Sequence, residues 1–280
     1  MNPTPAAPPS SDPAIAFIGG GNMASAIIGG LVRQGVPPGQ IEVVEPWEGA
    51  RAALHQQYGI VAQALPGPQL ERASLVVWAV KPQTFKEAAL LARFHTRAAV
   101  HLSVAAGIRS GSIARWLGSE RIVRAMPNTP ALIGKGMTAL YARPAVSAAE
   151  RQAVEQAIAS TGELLWVAQE PQLDAVTALS GSGPAYVFFF LEAMAQAGTD
   201  MGLPREQALQ LAVGTFAGAS ELARRSDEPP ELLRQRVTSK GGTTYAAIES
   251  MEQDGVQRQF MRALHAAQQR ARELGDEFGD

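Results

Sequence analysis

The sequence contains no cysteine and only four histidines, and its charge is nearly balanced. Without cysteine the chain forms no disulfide and offers neither a thiolate metal ligand nor a thiol nucleophile. The formal net charge of −2 leaves no broad basic field for a phosphate backbone, so we expect no nucleic-acid partner. The histidines have no partners at metal-ligand or triad spacing, so we expect no metal site.

Long apolar runs are also missing, because glycine and polar residues interrupt the candidates. The uncharged stretch 14–32 contains five glycines, Asn22 and Ser25, whereas a membrane span needs about 20 predominantly apolar residues. Residues 1–13 contain five prolines and no lysine or arginine, a composition typical of a disordered leader rather than of a signal peptide. We therefore expect no membrane partner and a cytoplasmic location.

The sequence does contain enough apolar material for two domains, since 46% of its 280 residues are hydrophobic. Between residues 14 and 168, short apolar runs alternate with segments of helical periodicity. Strands are predicted at 14–18, 41–45, 74–80, 98–104, 121–126, 136–142 and 163–167, and helices at 22–34, 47–58, 82–94, 109–117 and 147–160. Strands that are apolar on both faces predict a doubly wound, mainly parallel sheet covered by helices on both sides.

Beyond residue 170 the strand pattern stops and helical segments take over. They are predicted at 184–201, 204–225, 230–238, 243–253 and 255–275. The first two carry apolar residues around much of their circumference, more than one small domain can bury. We therefore expect a leader at 1–13, an α/β dinucleotide-binding domain at 14–168 and an all-α domain at 169–280 that forms a homodimer.

A glycine-rich turn gives the sharpest local signal for a ligand. It joins the first predicted strand to the first predicted helix and consists of Ile18, Gly19, Gly20, Gly21, Asn22 and Met23, with Ala24 completing a G-x-G-x-x-A pattern. Glycines let backbone N–H groups approach a pyrophosphate, which the helix N-terminus then stabilises. Glu45 ends the second predicted strand, where an acid meets the adenosine ribose. The turn therefore predicts dinucleotide binding, and the alternative is a tight turn without a ligand.

Three further loops follow predicted strands of the same sheet. The first contains Ala79, Val80, Lys81 and Pro82, the second Ala105, Ala106 and Gly107, and the third is the Met-Pro-Asn-Thr-Pro segment that carries Asn128. Ligands of open α/β sheets bind at the carboxyl ends of strands. We therefore assign the first two loops to the cofactor and Asn128 to the wall of the site, with plain structural turns as the alternative.

Two clusters of glycine and hydroxyl residues open helices of the second domain. One is the Ser-Gly-Ser-Gly-Pro segment around Ser182, and the other contains Gly241, Gly242, Thr243 and Thr244. A helix N-terminus binds a small carboxylate without any arginine, and hydroxyl groups add directional hydrogen bonds. The alternative is simple helix capping by serine or threonine.

The predicted site is poor in acid–base residues. None of the four histidines has a suitable partner, and the long helix lacks the paired lysine and asparagine that 3-hydroxyacid dehydrogenases use. A protonated imine is already activated toward hydride and needs little proton transfer from the enzyme. This composition therefore favours reduction of C=N over reduction of a carbonyl.

These motifs, in this order, resemble the pyrroline-5-carboxylate reductase family over residues 14–274. The resemblance is carried by FIGGGNMASAIIGGL, AVKPQ, SVAAGI, RAMPNTPALIGKGMTALY, LDAVTALSGSGPAYVFFFLEAM, GLPREQA and VTSKGGTTYAAIESME. It implies an α/β Rossmann domain followed by an all-α dimerisation domain that interleaves with its partner, with rings of dimers common in the family. It also implies reduction of 1-pyrroline-5-carboxylate to L-proline by NADPH or NADH, the last step of proline biosynthesis.

The resemblance also assigns residues. It implies that the substrate carboxylate sits on N–H groups of Gly241–Thr244 and that the Thr244 hydroxyl faces the ring nitrogen. Three departures affect finer points. Lys240 stands where members often have proline, the loop 65–68 lacks an asparagine that members often carry there, and Glu45 stands where NADPH-preferring members can have a small hydroxyl residue. The last two bear on the choice between NADH and NADPH.

Two other functions compete with this interpretation. A different Rossmann reductase, such as a 3-hydroxyacid dehydrogenase, would share the sheet but is expected to carry a catalytic lysine on the long helix. A non-catalytic dinucleotide-binding regulator would keep the fold, but it would be expected to lose the Gly241–Thr244 cluster, which is intact here.

Overall fold

The structure is a computed structural model that describes residues 14–279, so the predicted leader at 1–13 lies outside the described residues. The chain forms two compact units. The first, which we call the sheet unit, contains residues up to Gly181 and from Ala267 onward, and the second, the helical unit, contains Ser182–Ala266.

The sheet unit is built on seven strands. They are β1 (Ala14–Ile18), β2 (Ile41–Val44), β3 (Ala73–Trp78), β4 (Val100–Ser103), β5 (Ile122–Met126), β6 (Gly136–Ala142) and β7 (Gly162–Trp166). Their order is β2-β1-β3-β4-β5-β6-β7, and every neighbouring pair is parallel except the antiparallel pair β5 and β6. The predicted doubly wound, mainly parallel sheet is confirmed.

Six helices accompany the strands in the sheet unit. They are α1 (Asn22–Arg33), α2 (Glu48–Tyr58), α3 (Pro82–Ala92), α4 (Ser110–Leu117), α5 (Ala148–Ile158) and the short α6 (Gln172–Val176). Adjacent residues of β1 point to opposite faces: Phe17 packs with Ile28 of α1 in one core, whereas Ile18 packs with Phe85 of α3 in a second core. Because each face is buried by its own helices, the strands are apolar on both sides.

The helical unit contains α7 (Gly183–Asp200), α8 (Arg205–Arg225), α9 (Pro230–Arg236), α10 (Thr243–Gln253) and the beginning of α11 (Val256–Glu277). A Cβ on Gly198 would lie 2.7 Å from the Cβ of Ala208, so small residues allow α7 and α8 to pack closely. The rings of Tyr186 and Phe190 both pack edge-on against the ring of Phe260, with ring centroids 5.7 Å and 5.6 Å apart. Within residues 14–279 no helix is long and apolar enough to cross a membrane.

The division of the chain differs from the predicted boundary between residues 168 and 169. Residues 169–181 stay with the sheet, where they form α6 and a π-helical turn, Thr177–Gly181. The last part of α11 also belongs to the sheet unit, because Leu274 and Phe278 pack against the loop that follows β4. Both differences arise from packing between segments far apart in sequence, which local patterns do not encode.

Candidate active site

The glycine turn is shaped by close packing at the end of β1. Gly19 has a φ of +98°, and a Cβ there would lie 2.5 Å from the carbonyl oxygen of Ala79, so no side chain fits at this position. Its N–H donates to the carbonyl of Val44 at 2.8 Å. The turn is thereby fixed between the ends of β2 and β3, where the strand order reverses and dinucleotides bind in such sheets.

The start of α1 is open to an anion. Gly21 is the N-cap residue, and no side chain caps it in the described part of the chain. A Cβ on Gly21 would meet nothing within 4 Å, and Asn22 is exposed. The first N–H groups of a helix have no partner within it, so this end of α1 suits the pyrophosphate of a dinucleotide.

One cavity of about 420 Å³ brings seven of the predicted cofactor residues together. Its lining includes Ile18, Gly19, Gly21, Glu45, Ala79, Val80 and Lys81. Pro82 is the first residue of α3, immediately beyond this lining. Segments from the ends of three adjacent strands thus share one cavity, and their assignment to one ligand stays a prediction.

The same cavity has walls that the sequence patterns did not reveal. One wall is Ala64, Leu65 and Pro66, which follow a segment hydrogen-bonded to β2 through Gln63. The other wall is one face of α3, formed by Thr84, Glu87, Ala88 and Leu91. Their spacing of three or four residues places them on one side of the helix. A core-facing helix has the same spacing, so this pattern alone did not identify them.

Glu45 is attached to the glycine turn. Its carboxylate accepts hydrogen bonds from the N–H of Gly20 at 2.7 Å and from the N–H of Trp47 at 2.8 Å. Nearby Arg51 donates through Nη1 to the carbonyl oxygens of Glu45 and Pro46, at 3.0 Å and 2.6 Å. The negatively charged carboxylate of Glu45 therefore lies against the turn. Nη1 of Arg51 is bound by two carbonyl oxygens.

The loop Ala105, Ala106 and Gly107 follows β4, the neighbour of β3 on the side away from β1. These residues do not line the 420 Å³ cavity. Gly107 has a φ of +73°, and a Cβ there would lie 3.0 Å from the Cβ of Leu274 and 3.4 Å from Cδ2 of Phe278. The loop is thus covered by the end of the chain.

Asn128 connects three segments of the sheet unit. Its Oδ1 accepts from the N–H of Met137 at 2.9 Å, and its Nδ2 donates to the carbonyl and the hydroxyl of Ser180 at 3.2 Å and 3.3 Å. The amide therefore joins the loop after β5 to the start of β6 and to the π-helical turn. Its side chain is half-buried. The two hydrogen bonds from its Nδ2 hold Ser180 next to the loop that follows β5.

In the helical unit, the predicted substrate loop lies at the start of α10. Gly241 has a φ of +76°, and Gly242 donates to the carbonyl of Ser239 at 3.0 Å. Gly242 is the N-cap residue and no side chain caps the helix, so Thr243 and Thr244 are its first two residues. Ser182 occupies the N-cap position of α7, also without a side-chain cap bond. Capping, the alternative role for these hydroxyl groups, is therefore not what they do in this structure.

None of the four histidines lines the 420 Å³ cavity. His101 is buried in β4, where its Nδ1 accepts from Nε1 of Trp78 at 3.2 Å, and burial together with Arg121 lowers its pKa to about 4. His95 lies 2.9 Å from Glu71, and His55 and His265 are exposed on helices. Within residues 14–279 no group of histidine and carboxylate residues is arranged to hold a metal ion.

Comparison with known proteins matches each half of the chain to its own family model. A family model described as pyrroline-5-carboxylate reductase dimerisation matches residues 170–274, and one described as NADP oxidoreductase, coenzyme F420-dependent, matches residues 14–107. A pyrroline-5-carboxylate reductase of Pseudomonas aeruginosa is 44% identical over 96% of this chain and 99% of its own length.

Solved structures agree. A pyrroline-5-carboxylate reductase from Coxiella burnetii superposes with a TM-score of 0.87 at 36% identity, covering 94% of this chain and 98% of the other. The Plasmodium falciparum pyrroline carboxylate reductase, solved with NADP bound, gives a TM-score of 0.84 at 26% identity, covering 95% and 99%. This chain belongs to the pyrroline-5-carboxylate reductase family.

Proposed function

We propose that this chain reduces 1-pyrroline-5-carboxylate to L-proline with hydride from NADH or NADPH. The observation that carries the proposal is the presence, in one chain related to these reductases along its whole length, of a dinucleotide turn and of the uncapped helix start at Gly241–Thr244. The sheet unit binds the cofactor, and residues of the helical unit bind the substrate.

The cofactor fits the residues present in the sheet unit. The uncapped start of α1 and the open space beside Gly21 accommodate a pyrophosphate, and Glu45 is positioned for the adenosine ribose. Ala79–Lys81 and Ala105–Gly107 hold the remainder of the dinucleotide. When bound, the reduced nicotinamide supplies the hydride.

The substrate is held by backbone and hydroxyl groups rather than by a charged side chain. Its carboxylate accepts hydrogen bonds from N–H groups of Gly241–Thr244, strengthened by the dipole of α10. The hydroxyl of Thr244 bonds the ring nitrogen and orients the C=N bond, and Ser182 and Asn128 are further residues assigned to the substrate. Lys240, next to this loop, adds positive charge near the carboxylate.

The chemistry requires no acid–base residue. Addition of hydride to the carbon of a protonated imine gives the neutral amine directly, so no proton is transferred at that step. Reduction of a carbonyl would instead need a donor for the developing alkoxide. His101 is buried within the sheet, and its pKa of about 4 leaves it neutral at pH 7.

The direct test is to mix the purified chain with 1-pyrroline-5-carboxylate and follow NAD(P)H absorbance together with proline formation. We expect one proline for each NAD(P)H consumed. Oxidation of a 3-hydroxyacid with NAD⁺ and no reduction of the pyrroline would instead support the dehydrogenase alternative. Binding of NAD(P)H with no turnover of either substrate would support the regulator.

For the cofactor we expect NADH to be used, with NADPH as a second donor. The carboxylate of Glu45 accepts hydrogen bonds from ribose hydroxyls and repels a 2′-phosphate, and Nη1 of Arg51 is engaged by two carbonyls. Glu45→Gln removes the charge and keeps one oxygen for the N–H of Gly20, but it loses the hydrogen bond from the N–H of Trp47. It should shift the ratio of kcat/KM toward NADPH by about tenfold, equivalent to roughly 1.4 kcal/mol.

The control for this shift is Glu48→Gln, which removes the exposed carboxylate in the first turn of α2 and should leave the ratio unchanged. A wild-type kcat/KM tenfold higher with NADPH than with NADH would contradict this prediction. It would mean that Arg51, rather than Glu45, determines the choice of cofactor.

The assembly we propose is a homodimer formed by the helical unit, with rings of dimers as a further level. The part of the chain from residue 170 to 274 matches the family's dimerisation model, and α7 and α8 expose large apolar side chains. We place the enzyme in the cytoplasm, where NAD(P)H is supplied.

A further inference from the structure

The end of the chain is packed on the loop that follows β4. α11 ends at Glu277, and Phe278 and Gly279 belong to the sheet unit. Phe278 packs against the buried core that contains Ala105 and Ile108. Because the Cβ of Leu274 and the ring of Phe278 lie where a side chain on Gly107 would be, the end of the chain forms one wall of this loop.

Three polar contacts fix the same segment on α4, the helix that the loop leads into. Asp276 forms an ion pair with Arg109, the N-cap residue of α4, in which Oδ1 and Nη2 are 2.6 Å apart. The carbonyl of Gly279 accepts hydrogen bonds from the hydroxyl of Ser112 and from Nη2 of Arg115, both at 2.6 Å. Ser112 is buried, so the bond from its hydroxyl is shielded from water and stronger than a surface contact.

The start of α4 is also held by hydrogen bonds to Glu170, which do not involve the end of the chain. The carboxylate of Glu170 accepts from the N–H and the hydroxyl of Ser110, at 2.5 Å and 2.6 Å, and from Nη1 of Arg124 at 2.8 Å. Burial raises the pKa of Glu170, but these hydrogen bonds outweigh it and hold that pKa below its ordinary value. The start of α4 therefore remains anchored when the end of the chain is removed.

The loop itself has little to hold it in place. Ala105, Ala106 and Gly107 have no polar side chain, and the bond that the backbone of Ala105 makes to the hydroxyl of Ser103 is long, at 3.3 Å. A glycine at a φ of +73° adds conformational freedom. Leu274 and Phe278 thus pack on one side of the loop, beside the buried core that contains Ala105.

We propose that the segment Leu274–Gly279 is a positioning element for the cofactor loop Ala105–Gly107. This inference rests on the proposed function, in which that loop contacts the nicotinamide half of the dinucleotide. The segment touches no reacting atom; it acts by keeping the loop in the conformation that aligns the nicotinamide with the substrate. A misplacement of about 1 Å costs on the order of a hundredfold in rate.

The test is the chain ended after Glu277, which removes residues 278–280, together with the point variant Phe278→Ala. The truncated enzyme should show a kcat lower by about ten- to a hundredfold and weaker binding of NAD(P)H. Binding of ADP-ribose, which lacks the nicotinamide, should be unchanged, and hydrogen exchange at residues 104–109 should be faster. Phe278→Leu, which restores apolar bulk, should recover most of the activity.

The matched control is Glu273→Gln, one residue before the segment. Glu273 is exposed and its carboxylate pairs with Arg270 at 3.3 Å, so this change should leave every readout unchanged. Truncated and Phe278→Ala enzymes with native kcat and native exchange at residues 104–109 would overturn the proposal. Equal loss of affinity for NAD(P)H and ADP-ribose would also overturn it, because a merely structural role predicts that result. The binding and exchange readouts need no turnover, so they remain decisive even if the full chain fails to reduce 1-pyrroline-5-carboxylate.

Discussion

Replacing Thr244 with alanine should lower kcat/KM for 1-pyrroline-5-carboxylate by roughly ten- to a thousandfold. The range spans the loss of one hydrogen bond and the loss of a preorganised contact in the transition state. Thr244 is the second residue of α10 and half-buried, and Gly242 occupies the N-cap position. Its hydroxyl is therefore available to orient the substrate's ring nitrogen.

Thr244→Ser should be milder, because it keeps the hydroxyl and loses only the methyl group that restricts its rotation. The dissociation constant for NAD(P)H and the melting temperature should barely move in either variant, because the sheet unit is untouched. Steady-state kinetics, a binding titration and a thermal melt together separate these effects.

Thr238→Ala provides a matched control for Thr244→Ala. Thr238 is a half-buried threonine six residues earlier, and its hydroxyl donates to the carbonyl of Arg234 at 2.6 Å. Removing this bond should cost about 1 kcal/mol of stability without changing turnover. If Thr244→Ala behaved like Thr238→Ala, with near-native kcat/KM and a lowered melting temperature, the proposed role of Thr244 would be wrong.

Local patterns were enough to predict the sheet and its glycine turn. Every predicted strand and helix appears with ends within two residues of the predicted ones, because strands buried on both faces and helices with one apolar face have distinct periodicities. The glycine turn was predictable for a similar reason. Gly19 lies against the carbonyl of Ala79, a close approach that excludes any side chain.

Contacts between distant segments were beyond such patterns. Asn128 binds Ser180, 52 residues further along the chain, and the amide alone did not indicate whether its partner would be substrate or backbone. The face of α3 at Thr84 and Leu91 lines the cofactor cavity, although its spacing is equally that of a core-facing helix. In each case the decisive factor is how elements pack, which one segment does not specify.

The second large effect concerns assembly, because the helical unit lacks a core large enough for its apolar side chains. Within α7 and α8 the residues that become buried are small: Ala195, Gly198, Ala208 and Ala212. The large side chains remain exposed: Val187, Phe188, Phe189, Met194, Leu209, Leu211, Val213 and Leu222. Exposed apolar surface on this scale indicates an interface, and obligate dimers bury about 2,000 Å² or more.

Phe189→Lys should therefore abolish the native dimer and give aggregated or unfolded chain. The side chain of Phe189 is 67% exposed in the single chain, so a lysine there costs little until the partner covers it, when burying the unpaired charge costs several kcal/mol. Gln196→Lys is the control, because Gln196 is an exposed polar residue of the same helix, and this variant should remain dimeric. Sedimentation with a parallel activity assay measures the assembly state and the activity of both variants. A stable, active wild-type monomer at low micromolar concentration would contradict the proposed dimer.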